Sequence, residues 1–182
     1  MSRYTDKPLS FDKLSTIPID ARGGKVQVQH FGKLYKKGDG VSSLIDSLPT
    51  ILAADSLRGV IDSLKQARAK KKAILWGMGG HVIKCGLADI LLDVMRRGWI
   101  TGYVMNGAAT IHDFEIAIAG QTSEDVEAVL PDGRFGAAEE TGREINSAIT
   151  DGVRGGIGIG EALGRRLETL AKPEFAPHSI VA

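Results

Sequence analysis

The sequence predicts an α/β fold with parallel strands, and three observations carry that reading. Two short apolar runs, Ala73-Ile74-Leu75-Trp76 and Ile100 to Met105, each give way at once to a glycine-rich turn, at residues 77–81 and 105–109. Between them Val82, Ile83, Leu87, Ile90, Leu91, Val94 and Met95 recur at spacings of three and four, the period of a helix with one buried face. Two strands separated by a helix of about 17 residues call for a right-handed parallel crossover rather than a hairpin.

Residues 1–43 are polar, with turn signals at Gly23-Gly24 and Gly38-Asp39-Gly40, and read as an irregular N-terminal arm ahead of an α/β dinucleotide-binding-like domain at 44–182. Within the arm, the alternation from Lys25 to Phe31 fits an edge strand. From Ser43 to Lys70, Leu44, Ile45, Leu48, Leu52, Leu57, Val60, Ile61 and Leu64 are spaced for one buried helical face, which Pro49 divides in two. The run 73–76 follows a solvated lysine cluster and suits a buried parallel strand. A helix is then expected from about His81 to Arg97, ending at Gly98 with Arg96 and Arg97 where the helix dipole favours cations. After the second strand, Asn106-Gly107-Ala108-Ala109 turns into a helix through Thr110 to Ala119, closed by Gly120. Thr122 to Asp125 opens a short helix, Pro131-Asp132-Gly133 is a turn, and two more helices are expected near 137–149 and 160–171. Gly155 to Gly164 reads as a flexible helix entrance, and Pro177 to Ala182 as the start of a further helix with a missing continuation.

Of the 182 residues, 43% are hydrophobic and 25% charged, which supports an ordinary core and excludes wholesale disorder. The 23 Lys and Arg against 22 Asp and Glu leave no global field to draw nucleic acid or an acidic membrane, so the expected partner is a small molecule or another protein. No run of 18 apolar residues occurs, and MSRYTDKPLSFDKL has no apolar stretch behind its charges, so neither membrane insertion nor export is expected. The single cysteine, Cys85, cannot form an internal disulfide, and no Cys/His cluster has zinc spacing; a cytoplasmic protein without a metal site is expected.

In a parallel sheet both glycine-rich turns open at the carboxyl edge, where ligands bind. Glycine lets backbone amides approach a phosphate, and the following helix adds its partial positive charge, so Gly77, Gly79 and Gly80 read either as a phosphate cradle or as a tight turn. His112, with Asp113 and Glu115, falls in the first turns of the second helix; these residues read either as dipole partners or as a polar site in which His112 handles a proton and a carboxylate orients it or holds a ribose hydroxyl. His81 faces the same edge. Cys85 reads as a buried structural thiol rather than a nucleophile based on His81, and Glu139, Glu140 and Glu144 as solvated charge.

From about residue 72 onward the sequence resembles the deoxyhypusine synthase family, which uses NAD to transfer the aminobutyl group of spermidine onto a lysine of a translation factor. In that family one strand is followed by a glycine, an aromatic, Thr-Ser-Asn and Ser-Gly-Leu, and Gly77-Met78-Gly79-Gly80-His81-Val82-Ile83-Lys84-Cys85-Gly86-Leu87 is similar to this stretch. The next strand ends in Thr-Thr-Ala-Gly-Gly, then two glutamates and an aspartate, matched by Met105-Asn106-Gly107-Ala108-Ala109 and then Thr110 to Asp113. Gly136 to Asn146 and Ser179-Ile180 are looser matches. The family's Thr-Ser-Asn is Gly79-Gly80-His81 here, and of its three acids Asp113 alone is kept.

The resemblance implies a Rossmann-like parallel sheet flanked by helices and lacking the family's C-terminal half. It further implies NAD as cofactor, contacted by Gly77, Gly79, Gly80, Asn106, Gly107 and Ala108, with His81, His112 and Asp113 as the catalytic polar groups. A polyamine or related small-molecule amine would be the substrate of a transferase, working as a homo-oligomer or with a second chain supplying the C-terminal half. Two other readings stay open: a non-catalytic binding or assembly subunit that completes a site with a partner, and a hydrolase reusing the cleft with His112 and Asp113 as its acid-base pair.

Overall fold

The computed structural model describes residues 9–182, and contacts divide the chain into two units, one up to Asp62 and one from Ser63. Part of the N-terminal stretch read for an export signal, residues 1–8, lies outside the described residues.

The first unit holds α1 (Ile19–Arg22), α2 (Val41–Ser47) and the beginning of α3 (Leu52–Ala69). The edge strand expected at 25–31 is instead a 3-10 turn, Val28–His30, in which the Gln27 N–H donates to His30 Nδ1 at 3.2 Å. With no strand alongside to take its backbone groups, the segment satisfies them locally. Pro49 does separate two helices, and Arg58 joins them by donating to the carbonyls of Ile45 (2.8 Å), Leu48 (2.5 Å) and Pro49 (2.6 Å) at the end of α2, where the Ile45 carbonyl also accepts from the Leu48 N–H (3.3 Å). The apolar stripe of α3 is not a buried face: none of its residues is buried.

The second unit is built on β1 (Leu75–Met78) and β2 (Gly102–Met105), paired in parallel with Leu75 opposite Gly102 and Met78 opposite Met105. The Thr101 hydroxyl locks the entrance to the pair, accepting from the Ile74 N–H (2.8 Å) and donating to the Ile74 carbonyl (3.0 Å). Among the described residues the sheet has these two strands, so the fold is a mostly helical α/β arrangement around a small parallel pair rather than a broad sheet. The first strand also differs from its expected form. It begins later and includes Gly77 and Met78, so the turn starts at Gly79; Ile74 is buried, but Leu75 is 66% exposed, because a two-stranded sheet leaves a side chain on its outer face with little to cover it.

The single helix expected over 81–97 is two, α4 (Gly80–Lys84) and α5 (Ala88–Arg96). Gly86 adopts φ +81°, and its N–H reaches the Ile83 carbonyl (2.8 Å) while Leu87 reaches Val82 (3.2 Å), the paired bonds of a left-handed helix stop. The apolar spacing runs on across this stop and conceals it.

Helix α6 (Gly107–Ala119) is the centre of the unit, with Ala109, Asp113, Phe114 and Ala117 buried. One side packs with Ile83, Ala88, Met78 and Met105; another packs Phe114 and Ala117 against Leu167, Ile145 and Leu170. After α7 (Val126–Val129), α8 (Glu139–Gly155) and α9 (Ile159–Leu170) form an antiparallel pair. A Cβ on Gly152 would lie 2.6 Å from Ala162 Cβ, so this crossing needs a glycine. Glu144, expected in solvent, is 8% exposed and accepts from Arg143 Nε (3.0 Å) and Arg166 Nε (2.8 Å), tying α8 to α9. The helix expected from Pro177 is a single 3-10 turn, Ala176–His178, followed by an extended tail whose polar groups Asp113 draws away from any helical pattern. No helix among the described residues is long and apolar enough to cross a membrane.

Candidate functional site

Both strand-to-helix turns open at the carboxyl edge of the parallel pair and meet there. Gly79 caps α4 in an extended conformation, and Asn106 caps α6, its side-chain oxygen accepting from the Ala109 N–H at 3.0 Å. Between them lies an open cleft of about 390 Å3, lined by Gly79, Gly80, His81, Val82 and Lys84 from the first turn and by Asn106, Ala108 and His112 from the second. Gly77 and Gly107, expected to touch a cofactor, do not line this cleft: Gly77 is inside β1, opposite Val104, and Gly107 opens α6 just beyond the cleft wall.

The two glycines of the cleft do different work. A Cβ on Gly79 would meet only Asn106 Nδ2, at an ordinary 3.5 Å, and would otherwise project into open space. On Gly80 it would strike His112 Cδ2 at 2.9 Å and Ala108 Cβ at 3.1 Å. Gly80 therefore lets α4 and α6 approach, while Gly79 borders open space in the cleft.

The charged groups of the cleft have one sign. Lys84 lies at its rim, the His81 and His112 imidazoles stand on its walls, and the first amides of α6 point to the same edge. Among the described residues no carboxylate lines it. Cys85, expected to be buried, is exposed, because the helix stop at Gly86 turns it outward. Among the described residues no group of three His, Cys, Asp or Glu side chains gathers to hold a metal ion.

Adjacent positions on a helix point about 100° apart, and α6 sends His112 and Asp113 in different directions. Asp113 is fully buried and accepts from Ser179 Oγ (2.6 Å), the Ile180 N–H (2.8 Å) and the Val181 N–H (3.0 Å). Burial raises its carboxyl above the ordinary 3.8, against the pull of those three donors. It anchors the tail and is not brought to His112. The partner of His112 is Thr122, whose Oγ1 lies 2.7 Å from His112 Nδ1 and donates to Glu115 Oε2 at 2.5 Å. The other oxygen of Glu115 accepts from the Thr141 hydroxyl at 3.3 Å. Beyond His112 a second cavity, about 410 Å3, runs past Glu115, Phe135 and Asn146. Sequence spacing could suggest Glu115, three residues on along the same helix, but not Thr122 or Thr141, which arrive from a loop and from α8.

No protein-family model, curated protein or solved structure matches the chain. Function is therefore read from the cleft's own chemistry.

Proposed function

We propose that this protein binds a phosphate-bearing dinucleotide of the NAD type in the cleft between the turns at Gly79 and Asn106. The observation that carries the proposal is the meeting of two glycine-containing strand-to-helix turns at one sheet edge, around a space with Lys84, His81 and His112 on its walls and no carboxylate. The residues suit a diphosphate: Gly79 offers backbone without a side chain, Lys84 offers a cation, and the N-terminus of α6 adds its partial positive charge. When bound, NAD supplies a hydride acceptor. The chain's own part is to hold the ligand, to restrict water on the α4–α6 side, and to hold a proton at His81 or His112.

The resemblance to the deoxyhypusine synthase family extends this proposal to a transferase acting on a polyamine or related amine. The hydrolase alternative is less well supported, since its acid-base pair needs Asp113 beside His112, and Asp113 is committed to Ser179, Ile180 and Val181. Thermal shift with NAD, repeated on Lys84→Met, tests the binding reading. Saturable stabilisation by NAD is expected, with affinity reduced roughly tenfold in the variant, the size of one lost charge-assisted hydrogen bond. Equal affinities would remove Lys84 from the site, and an unresponsive folded chain would contradict the proposal.

A further inference from the structure

The Thr122 hydroxyl has a single proton, and its two neighbours decide where that proton goes. Glu115 Oε2, at 2.5 Å, is an acceptor, so the hydroxyl donates to it and must accept from His112 Nδ1 at 2.7 Å. The reverse arrangement would place the Thr122 oxygen against a carboxylate oxygen with no hydrogen between them. The neutral form of His112 is thereby fixed with its proton on Nδ1 and its lone pair on Nε2. Nε2 has no protein partner among the described residues, and no buried side-chain nitrogen or oxygen is left unpaired, so Nε2 is reached by solvent. The Cδ2 edge of the same ring lies against Gly80 in the wall of the cleft.

From this geometry we infer that His112 is a preset hydrogen-bond acceptor for a hydroxyl of the bound ligand, with Thr122 and Glu115 as the residues that position it. The inference rests on the cleft reading and deepens it by naming the contact. A dinucleotide needs an acceptor for its ribose hydroxyls, and the cleft has no carboxylate to serve. Asp113 is turned to the tail, and Glu115 is occupied by Thr122 and Thr141. A neutral imidazole with a defined tautomer fills that role without adding negative charge beside the phosphates. Among the described residues, His81 and Lys84 on α4, Glu115 on α6 and Glu124 in the loop before α7 are the charged or titratable groups that share a cavity with the ring.

Nitrogen-15 NMR of histidine-labelled full-length protein distinguishes the tautomers directly. His112 is expected as the Nδ1–H form in the free protein and in Thr122→Ser, and as a different mixture in Thr122→Val, which removes the accepting oxygen. NAD is expected to move the Nε2 resonance, and Thr122→Val to weaken NAD binding roughly three- to tenfold, the worth of one neutral hydrogen bond. An Nε2–H tautomer in the wild type, or one indifferent to Thr122→Val, would overturn the inference. So would NAD that binds, by thermal shift, yet leaves Nε2 unmoved. Absence of NAD binding by the folded protein would sink the dinucleotide reading, and the tautomer in the free chain would still decide the Thr122–Glu115 relay.

Discussion

Gly79 and Gly80 are neighbours in the chain, yet a methyl group on each would have opposite consequences. Gly80→Ala forces the methyl into His112 and Ala108, and melting is expected to show a loss of about 1–3 kcal/mol from overpacking. A melting temperature equal to wild type would refute the packing role. Asp113 has the greater structural weight. Asp113→Ala would strand the Ser179 hydroxyl proton and the Ile180 N–H and leave the Val181 N–H with Ser179 Oγ alone, at about 2–4 kcal/mol, and hydrogen exchange at Ile180 and Val181 is expected to quicken with it. Unchanged exchange there would show that the tail is held by other contacts. The sequence placed His112 at the edge where the two turns meet, through its position after Asn106-Gly107, but assigned Asp113 a ligand-facing role. That role turns on which way a carboxylate points, and here a segment 66 residues later captures it. No local pattern carries such a contact.

At the scale of elements, the break between α4 and α5 depends on one residue with a left-handed backbone. Gly86→Ala is expected to cost about 1–2 kcal/mol, since an L side chain at φ +81° meets its own backbone; a smaller loss in thermal denaturation would mean the stop can be rebuilt. The α8–α9 pair depends on Glu144 and on the close crossing at Gly152. The hydrogen bonds from Arg166 and Arg143 hold the Glu144 carboxyl below its ordinary 4.5. A lowered folded value means that the unfolded chain takes up this proton first as pH falls. The contribution is thus full above about 4.5 and is lost as pH drops through the folded value, the reverse of Asp113, whose raised value gives a contribution lost as pH rises above 3.8. Glu144→Gln should flatten the acid limb of the stability curve; an unchanged acid limb would remove Glu144 from the account. Helix periodicity made α3, α6, α8 and α9 legible, whereas the stop at Gly86 was hidden because Leu87, Ile90 and Leu91 keep the apolar spacing across it.

In the molecule as a whole, the parallel pair and its crossover were readable from two apolar runs and the helical spacing between them, and the convergence of the two turns follows from that topology. What periodicity could not reveal is how little of the sheet is covered. Leu75 is 66% exposed although its run suited a buried strand, and Val104 on the second strand is 56% exposed, because an apolar run identifies a strand without saying how many neighbours it has. On the proposed transferase reading, a homo-oligomer or a second chain would be expected to cover surface of this kind. Sedimentation velocity is expected to show a species heavier than one chain, and a strict monomer across concentrations would contradict that extension while leaving the cleft unaffected.

The most direct test of the cleft is calorimetric titration of NAD into the wild type and Gly79→Val, with melting curves of both proteins. Because Gly79 already has an extended backbone and a Cβ there meets only Asn106 Nδ2, the variant is expected to melt close to the wild type while losing measurable NAD binding. NAD binding of equal strength in the two proteins would place the dinucleotide elsewhere and contradict the account.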